Sequence, residues 1–341
     1  MMNNQLSIIP QSIVPASQRL QSFFEAEPNF EQLSGKRVVF RTDYSKGPIL
    51  LEKTSSKASN HQIRKFSDKA RDTIVTGIDS SCVLVGETDE GPIFAGRVTT
   101  VYGSRNGIRT YVRKGPLLFY LNYEWLTRLS SYVSKEKLLA ISSETRLAER
   151  FIRIYMERVA QIEASRSITD SIIAVDGSLQ KSSFEIRETS LREVQRYASE
   201  NMNQLIGVSK ASNIREISSA ISTLCSLNEG SAYIDVTELI RAISNRVGRN
   251  KVVAAKFGSN FPVFRVDLSS SNTEEDSQIL ANFQANDIFF RGYPETLRLA
   301  HHLSVFDSSV ISSIRSYLSS RYRLVEMASD DLRATILGKL V

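Results

Sequence analysis

The run Ile172-Ile-Ala-Val175 is apolar without interruption and ends in Asp176-Gly-Ser-Leu179. A run so short and so continuously hydrophobic reads as a strand buried on both faces, inside a sheet with helices on either side. A second run, Ile74-Val-Thr-Gly-Ile78, also ends in an aspartate, Asp79, followed by Ser80-Ser81. Each run is expected to deliver one carboxylate at the tip of a strand. Between them, Cys82–Gly86 and Ile93–Tyr102 are rich in Val, Ile and Thr and read as strands, with residues 86–91 as a hairpin loop and Arg109–Arg113 as a further strand. Ser142-Ser-Glu-Thr145 is a helix-start signal. The stretch Glu144–Ala164 then runs without Gly or Pro, with Leu147, Phe151, Tyr155, Val159 and Ile162 recurring on one helical face.

Downstream the pattern alternates. Helices are expected over Thr189–Asn203 and Ile214–Leu227, strands over Leu205–Ser209, Val252–Phe257 and Pro262–Leu268, and three closing helices near Pro294–Val305, Ser309–Ser320 and Asp330–Leu337. The order β-β-β-α-β-α-β-α implies an α/β domain with a mixed sheet flanked by helices. Residues 1–64 stand apart as an N-terminal arm, punctuated by Pro10, Pro15 and Pro28, with a short helix over Ser17–Ala26. Its Phe23, Phe24 and Phe30 need a surface, either on the main domain (65–341) or on a subunit or partner.

The balance of residues narrows the chemistry. Hydrophobic residues make up 41% and charged residues 23%, enough for a sizeable core. The net charge of +6 is compatible with nucleic acid without demanding it. Cys82 and Cys225 form no CxxC pair and read as small buried hydrophobes in a reducing compartment. With three histidines in all, a nitrogen–sulfur zinc site is poorly supplied, and a metal would rest on carboxylates, which favours Mg²⁺ or Mn²⁺. No secretory leader and no uninterrupted apolar span of membrane length appear, so a cytoplasmic protein with no membrane contact is expected.

A first strand carrying an acid, hairpin strands, a helix carrying an acid and a buried strand ending in an acid form the ribonuclease-H-like order of acidic residues. In that fold the first and fourth strands lie side by side and their acids converge. Crowded carboxylates repel, and cations relieve the repulsion. Two ions roughly 3.5–4 Å apart can stabilise both the attacking and the leaving oxygen of a phosphoryl displacement. For the helix acid, Glu144 suits the helix N-terminus. Glu157 lies far enough ahead of Asp176 for a helix end, a loop and a strand, with Glu149 as runner-up and Glu163 a further candidate. Basic residues cluster at Arg105, Arg109, Arg113 and Lys114, and again at Arg241, Arg246, Arg249 and Lys251. Either cluster could follow a DNA backbone, and no base-reading motif accompanies them.

These segments resemble the NurA nuclease family. The resemblance rests on Ile172-Ile-Ala-Val-Asp176-Gly-Ser-Leu179, on Gly77-Ile-Asp79-Ser-Ser81 (where the family shows Asp-Gly-Ser), on Ile206-Gly-Val-Ser-Lys210, and on Gly292-Tyr-Pro294 followed by Ala300-His301. It implies a metal-dependent DNA nuclease with Asp79, Glu157, Asp176 and His301 holding Mn²⁺ or Mg²⁺. Lys210 would contact phosphate or stabilise transition-state charge, and His301, not its neighbour His302, would face the site. It further implies a homodimer that docks on a HerA-like hexameric ATPase in DNA end resection, double-strand-break repair and homologous recombination. The rival from another class is a non-catalytic DNA-binding subunit that keeps the fold. An Argonaute-like nuclease is a weaker rival, since the chain is short for guide-anchoring domains.

Overall fold

The computed structural model describes residues 30–40, 62–209, 215–227, 230–243, 247–259 and 261–326. Strands β1 (Arg37–Val39) and β2 (Ile63–Lys65) precede a meander of β3 (Val75–Thr88), β4 (Pro92–Ser104) and β5 (Gly107–Tyr120). Helices α1 (Tyr123–Leu129), α2 (Lys135–Ser143) and α3 (Thr145–Ser167) lead to β6 (Ile172–Asp176), α4 (Leu191–Glu200) and β7 (Gln204–Ser209). Then come α5 (Arg215–Cys225), β8 (Ser231–Asp235), α6 (Thr237–Ile243) and the hairpin of β9 (Lys251–Phe257) and β10 (Val263–Leu268). Helix α7 (Asp276–Asn286), the short pair β11 (Phe289–Phe290) and β12 (Tyr293–Pro294), α8 (Glu295–Ser304), α9 (Ser308–Tyr322) and β13 (Val325–Glu326) follow.

One mixed sheet runs β13-β1-β3-β6-β7-β10-β9-β8-β2, and β4 and β5 extend it from the other edge of β3. Strands β3 and β6 are parallel neighbours, in register from Val75 with Ile172 to Ile78 with Val175. Strand β7 continues the parallel set, and β10 and β9 turn antiparallel. This is the ribonuclease-H-like α/β arrangement, with the two acid-bearing strands side by side. The continuous apolar run of β6 has the expected cause. Ile173 and Val175 pack with Ile78, Phe151 and Ile152 on the α3 face, while Ile172 and Ala174 pack with Ile279, Phe283 and Leu297 on the other.

Three expectations are corrected. Asp79 is not at a strand tip: β3 is a single strand through Ser80 and Ser81, which pair with Val98 and Arg97 of β4. The full-length β4 ladder carries the chain through residues that would otherwise favour a turn. Second, residues 37–39 do not stand apart from the sheet. Strand β1 pairs with the end of β3, and Leu33 and Val38 are buried with Ile311, Leu318 and Tyr322. Third, Cys82 is buried but Cys225, the last residue of α5, is exposed. Ser17–Ala26 with Phe23 and Phe24, the side chain of Phe30, and Asp330–Leu337 lie outside the described residues. Among the described residues no helix is long and apolar enough to cross a membrane.

Candidate metal centre

Strand β6 ends where the sequence changes from apolar to Asp176-Gly-Ser, and the next turn is held from several sides. Gly177 takes φ +124°, a backbone region open to glycine, and its N–H donates to the Val208 carbonyl at 2.8 Å. Two residues on, the Leu179 N–H donates to Asp267 Oδ2 at 3.0 Å, and Asn250 Nδ2 donates to the Leu179 carbonyl at 2.7 Å. Asp267 is itself clasped by the buried Arg265. Burial raises its pKa and the Arg265 hydrogen bond opposes that shift. The Asp-Gly-Ser-Leu motif is therefore a strand end, a tight turn and a buried leucine that fixes the turn.

The second carboxylate comes from β3 and its partner from α8. Asp79 Oδ1 accepts from the Ser80 N–H at 2.8 Å, and Oδ2 lies 2.7 Å from His301 Nδ1. Helix α8 reaches this position because it lies directly on β3. A Cβ at Gly77 would sit 2.5 Å from the Thr296 carbonyl carbon. One ligand atom each from Asp79, Asp176 and His301 fall within 4.8 Å of one another. Both histidines are exposed, and of the two His301 is the one that lines the cleft.

The four helix glutamates separate by their contacts. Glu144 is the N-terminal cap residue of α3. Glu163 is bound by Lys114 Nζ at 2.7 Å. Glu149 and Glu157 both line the cleft that holds Asp79, Asp176 and His301. Glu157 is the one fixed beside Asp79: its Oε2 accepts from Ser80 Oγ at 3.0 Å and its Oε1 from Gln161 Nε2 at 3.1 Å. Gln161 accepts in turn from the buried Arg158, which also donates to Glu185. Burial pushes the Glu157 carboxyl up to about 7, with Arg158 opposing and Asp79 adding to the shift. A cleft that concentrates carboxylates in dry surroundings favours a bound cation.

Lys210 lies outside the described residues, one position beyond the end of β7. Tyr293, from the Gly-Tyr-Pro segment, was not foreseen as part of the site. Its buried hydroxyl faces Asp176, and its pKa is raised by burial first and by Asp176 second. Among the described residues, four of the clustered basic side chains form ion pairs, most of them solvent-exposed. Arg105 pairs with Asp72, Lys114 with Glu163, Arg241 with Glu238, and Lys251 with Asp276. Arg246 lies outside the described residues.

The start of α8 hangs on Asp287, which accepts from the Thr296 N–H at 3.3 Å and from Thr296 Oγ1 at 2.5 Å. Burial pushes this carboxyl up to about 6, against the Thr296 hydrogen bonds that lower it. An unfolded aspartate titrates near 3.9, so between the two values the folded chain holds a proton that the unfolded chain has lost. This group's contribution to stability is thus largest below pH ~4 and is lost as pH rises through about 6. Asp287→Asn removes the titration. Urea unfolding of parent and variant across this window should show the variant gaining on the parent with rising pH, by on the order of 2 kcal/mol in total. A parent–variant difference that does not change with pH would refute the assignment.

A NurA domain model matches residues 73–306. The chain is similar to the solved NurA nuclease from Sulfolobus solfataricus, with 14% identity, 77% of this chain and 87% of that one covered, and a TM-score of 0.48. It is also similar to a NurA bound to dAMP and manganese, with 8% identity, coverages of 75% and 90%, and a TM-score of 0.45. Endonuclease V from Ciona intestinalis, in complex with inosine-containing DNA, shares 13% identity with coverages of 74% and 91% and a TM-score of 0.36. No curated protein matches the chain.

Proposed function

The chain belongs to the NurA domain family, and on that premise we propose that it is a divalent-metal-dependent nuclease hydrolysing DNA phosphodiesters. The observation that carries this reading is the convergence of Asp79, Asp176 and His301 within 4.8 Å, in a cleft that also contains Glu157. The donor set fits: carboxylate oxygens and one imidazole suit Mn²⁺ or Mg²⁺. Bound there, such ions would supply a Lewis acid for the phosphoryl oxygens and an acidified water.

The chain's own residues supply position. Asp79 and Asp176 would hold the metal from adjacent parallel strands, and His301 would complete the set from α8. The Glu185–Arg158–Gln161 relay fixes Glu157 at the same cleft. Tyr293 confines Asp176 from the buried side. Lys210 keeps its proposed role toward phosphate. Ser80, where the family shows glycine, is no argument for a lost activity: it lies inside a regular strand and its hydroxyl binds Glu157. The homodimer, the HerA-like hexameric ATPase and the role in DNA end resection are part of the same proposal and are supported by family membership alone.

Purified protein incubated with end-labelled DNA provides the test. Cleavage is expected with Mn²⁺ or Mg²⁺ and should cease on addition of EDTA. Undiminished cleavage in EDTA, or none with any divalent ion, would overturn the reading.

A further inference from the structure

Strands β11 and β12 form a hairpin in which Phe290 stands directly opposite Tyr293. The two central residues, Arg291 and Gly292, both take positive φ, +52° and +80°. Two left-handed residues in succession suit a two-residue hairpin, and Asn-Gly is the sequence that forms it at least cost. An arginine in the first of these positions is strained, and asparagine would relieve most of that strain. Strained backbone concentrates at functional sites, which directs attention to what this side chain does.

The two arms of the hairpin meet different surroundings. Tyr293 is buried, with its hydroxyl toward Asp176. Phe290 is 52% exposed, although burial would favour its ring. Two guanidinium groups approach that ring, Arg291 at 5.4 Å and Arg298 at 5.2 Å from the centroid. Neither closes over it as Arg196 closes over Tyr197 at 3.9 Å, and much of the ring stays in solvent. Arg298 is held by Glu295 through two contacts of 2.6 Å, which fix it beside the ring and neutralise the acid. Arg291 is exposed and makes no hydrogen bond or ion pair among the described residues. The ledge adjoins the metal centre by two routes. Arg298 lies three residues before His301 on α8, a spacing that makes neighbours on a helix surface. Tyr293, opposite Phe290, reaches Asp176.

An exposed aromatic ring with an uncommitted guanidinium at its side matches one nucleotide, the base on the ring and the phosphate on the arginine. Stacking of this kind tolerates any base, in keeping with a chain that has no base-reading motif. A base inside a duplex is already stacked on both faces, so the ring can take only an unpaired or terminal one. A protein partner would also cover the ring, but the uncommitted cation and the adjoining metal centre favour a polyanion. We infer that Phe290 stacks an unpaired base of the DNA beside the metal centre and that Arg291 binds a phosphate of the same strand. This rests on the nuclease reading above and adds to it a subsite for a single-stranded or frayed end.

Two probes separate base from backbone: a fluorescent oligodeoxynucleotide, and one of equal length in which tetrahydrofuran abasic residues replace every nucleoside. Anisotropy is read with Ca²⁺ in place of the catalytic ion. Phe290→Ala should lower affinity for the first probe by about 5- to 150-fold, the range for one lost base–aromatic stack, and leave the abasic probe within about twofold of the parent. Phe290→Trp should bind the first probe at least as well as the parent. Arg291→Asn should weaken both probes alike, by about tenfold for a lost charge-assisted hydrogen bond. Its melting temperature should hold or rise, because asparagine suits the turn. Equal losses on both probes in Phe290→Ala would mean that the ring merely supports the hairpin. A lowered melting temperature in Arg291→Asn would mean that the arginine holds the turn. Unchanged affinity in both variants, with a changed sedimentation coefficient, would make the ledge a contact between protein chains. Each of these overturns the inference. A parent that cleaves no DNA with Mn²⁺ or Mg²⁺ yet binds through Phe290 sinks the nuclease reading and keeps the subsite. A parent that cleaves, with binding indifferent to Phe290, does the reverse, and one that neither cleaves nor binds overturns both.

Discussion

Asp176→Asn and Asp79→Asn are each expected to lower metal-dependent DNA cleavage by about 10³-fold or more, because each removes a charged ligand from a compact donor set and metal-derived transition-state stabilisation amounts to several kcal/mol. Folding should survive. Carboxylates packed together repel one another in the metal-free chain, so neutralising one leaves the apo protein as stable as the parent or slightly more so. The contrast lies in the response to metal. Mn²⁺ should raise the melting temperature of the parent by preferential binding to the folded state, and Asp176→Asn should lose most of that rise. Glu157→Gln should cut activity far more than Glu149→Gln, since only Glu157 is held against Ser80 beside Asp79. Full activity in purified Asp176→Asn would sink the site. A Glu149→Gln loss matching that of Glu157→Gln would move the helix role.

The parts of this arrangement visible in the sequence are those written in local patterns. The Ile172–Val175 run declares a doubly covered strand because both of its faces are apolar, and Asp176-Gly177 marks its end because the polarity and the backbone freedom change together. Helix α3 shows itself by spacing and by the absence of breakers. The α-helical register could not choose among four glutamates, because that choice depends on what lies opposite. Lys114 claims Glu163, the helix start claims Glu144, and Ser80 with Gln161 claims Glu157. Asp79 was legible as a residue but not as a position. Ser80-Ser81 look like a turn until β4 is known to pair with them, and pairing partners far along the chain leave no local mark. Tyr293 stands in the sequence as one letter of a Gly-Tyr-Pro motif, and nothing near it reveals that its hydroxyl faces Asp176. The basic clusters show a related limit: charge density along the chain says nothing about which carboxylates face it across the fold.

Gly77→Ala should damage the metal centre without touching any of its ligands. A methyl at this position would stand 2.5 Å from the Thr296 carbonyl carbon and 2.7 Å from the Leu297 nitrogen. Both are backbone atoms of a helix and cannot rotate aside, so α8 itself must shift. Overpacking of this kind costs about 1–3 kcal/mol, a fall in melting temperature of several degrees for a chain of this size. The loss of activity should exceed what instability explains, because α8 carries His301 to its 2.7 Å contact with Asp79. At a temperature where the variant is fully folded, metal affinity and cleavage should each fall at least about tenfold, in keeping with the sensitivity of metal sites to displaced ligands. Gly103 supplies the control. A methyl there would meet Thr296 Cγ2 at 2.8 Å, a side-chain atom, and Thr296→Ser removes that atom while keeping the hydroxyl on Asp287. Thr296→Ser should therefore rescue Gly103→Ala and leave Gly77→Ala unrescued, as judged by melting temperature and cleavage together. Rescue of Gly77→Ala by Thr296→Ser would show that α8 does not rest on β3 through its backbone at Gly77, and the account of how His301 reaches the site would fail with it.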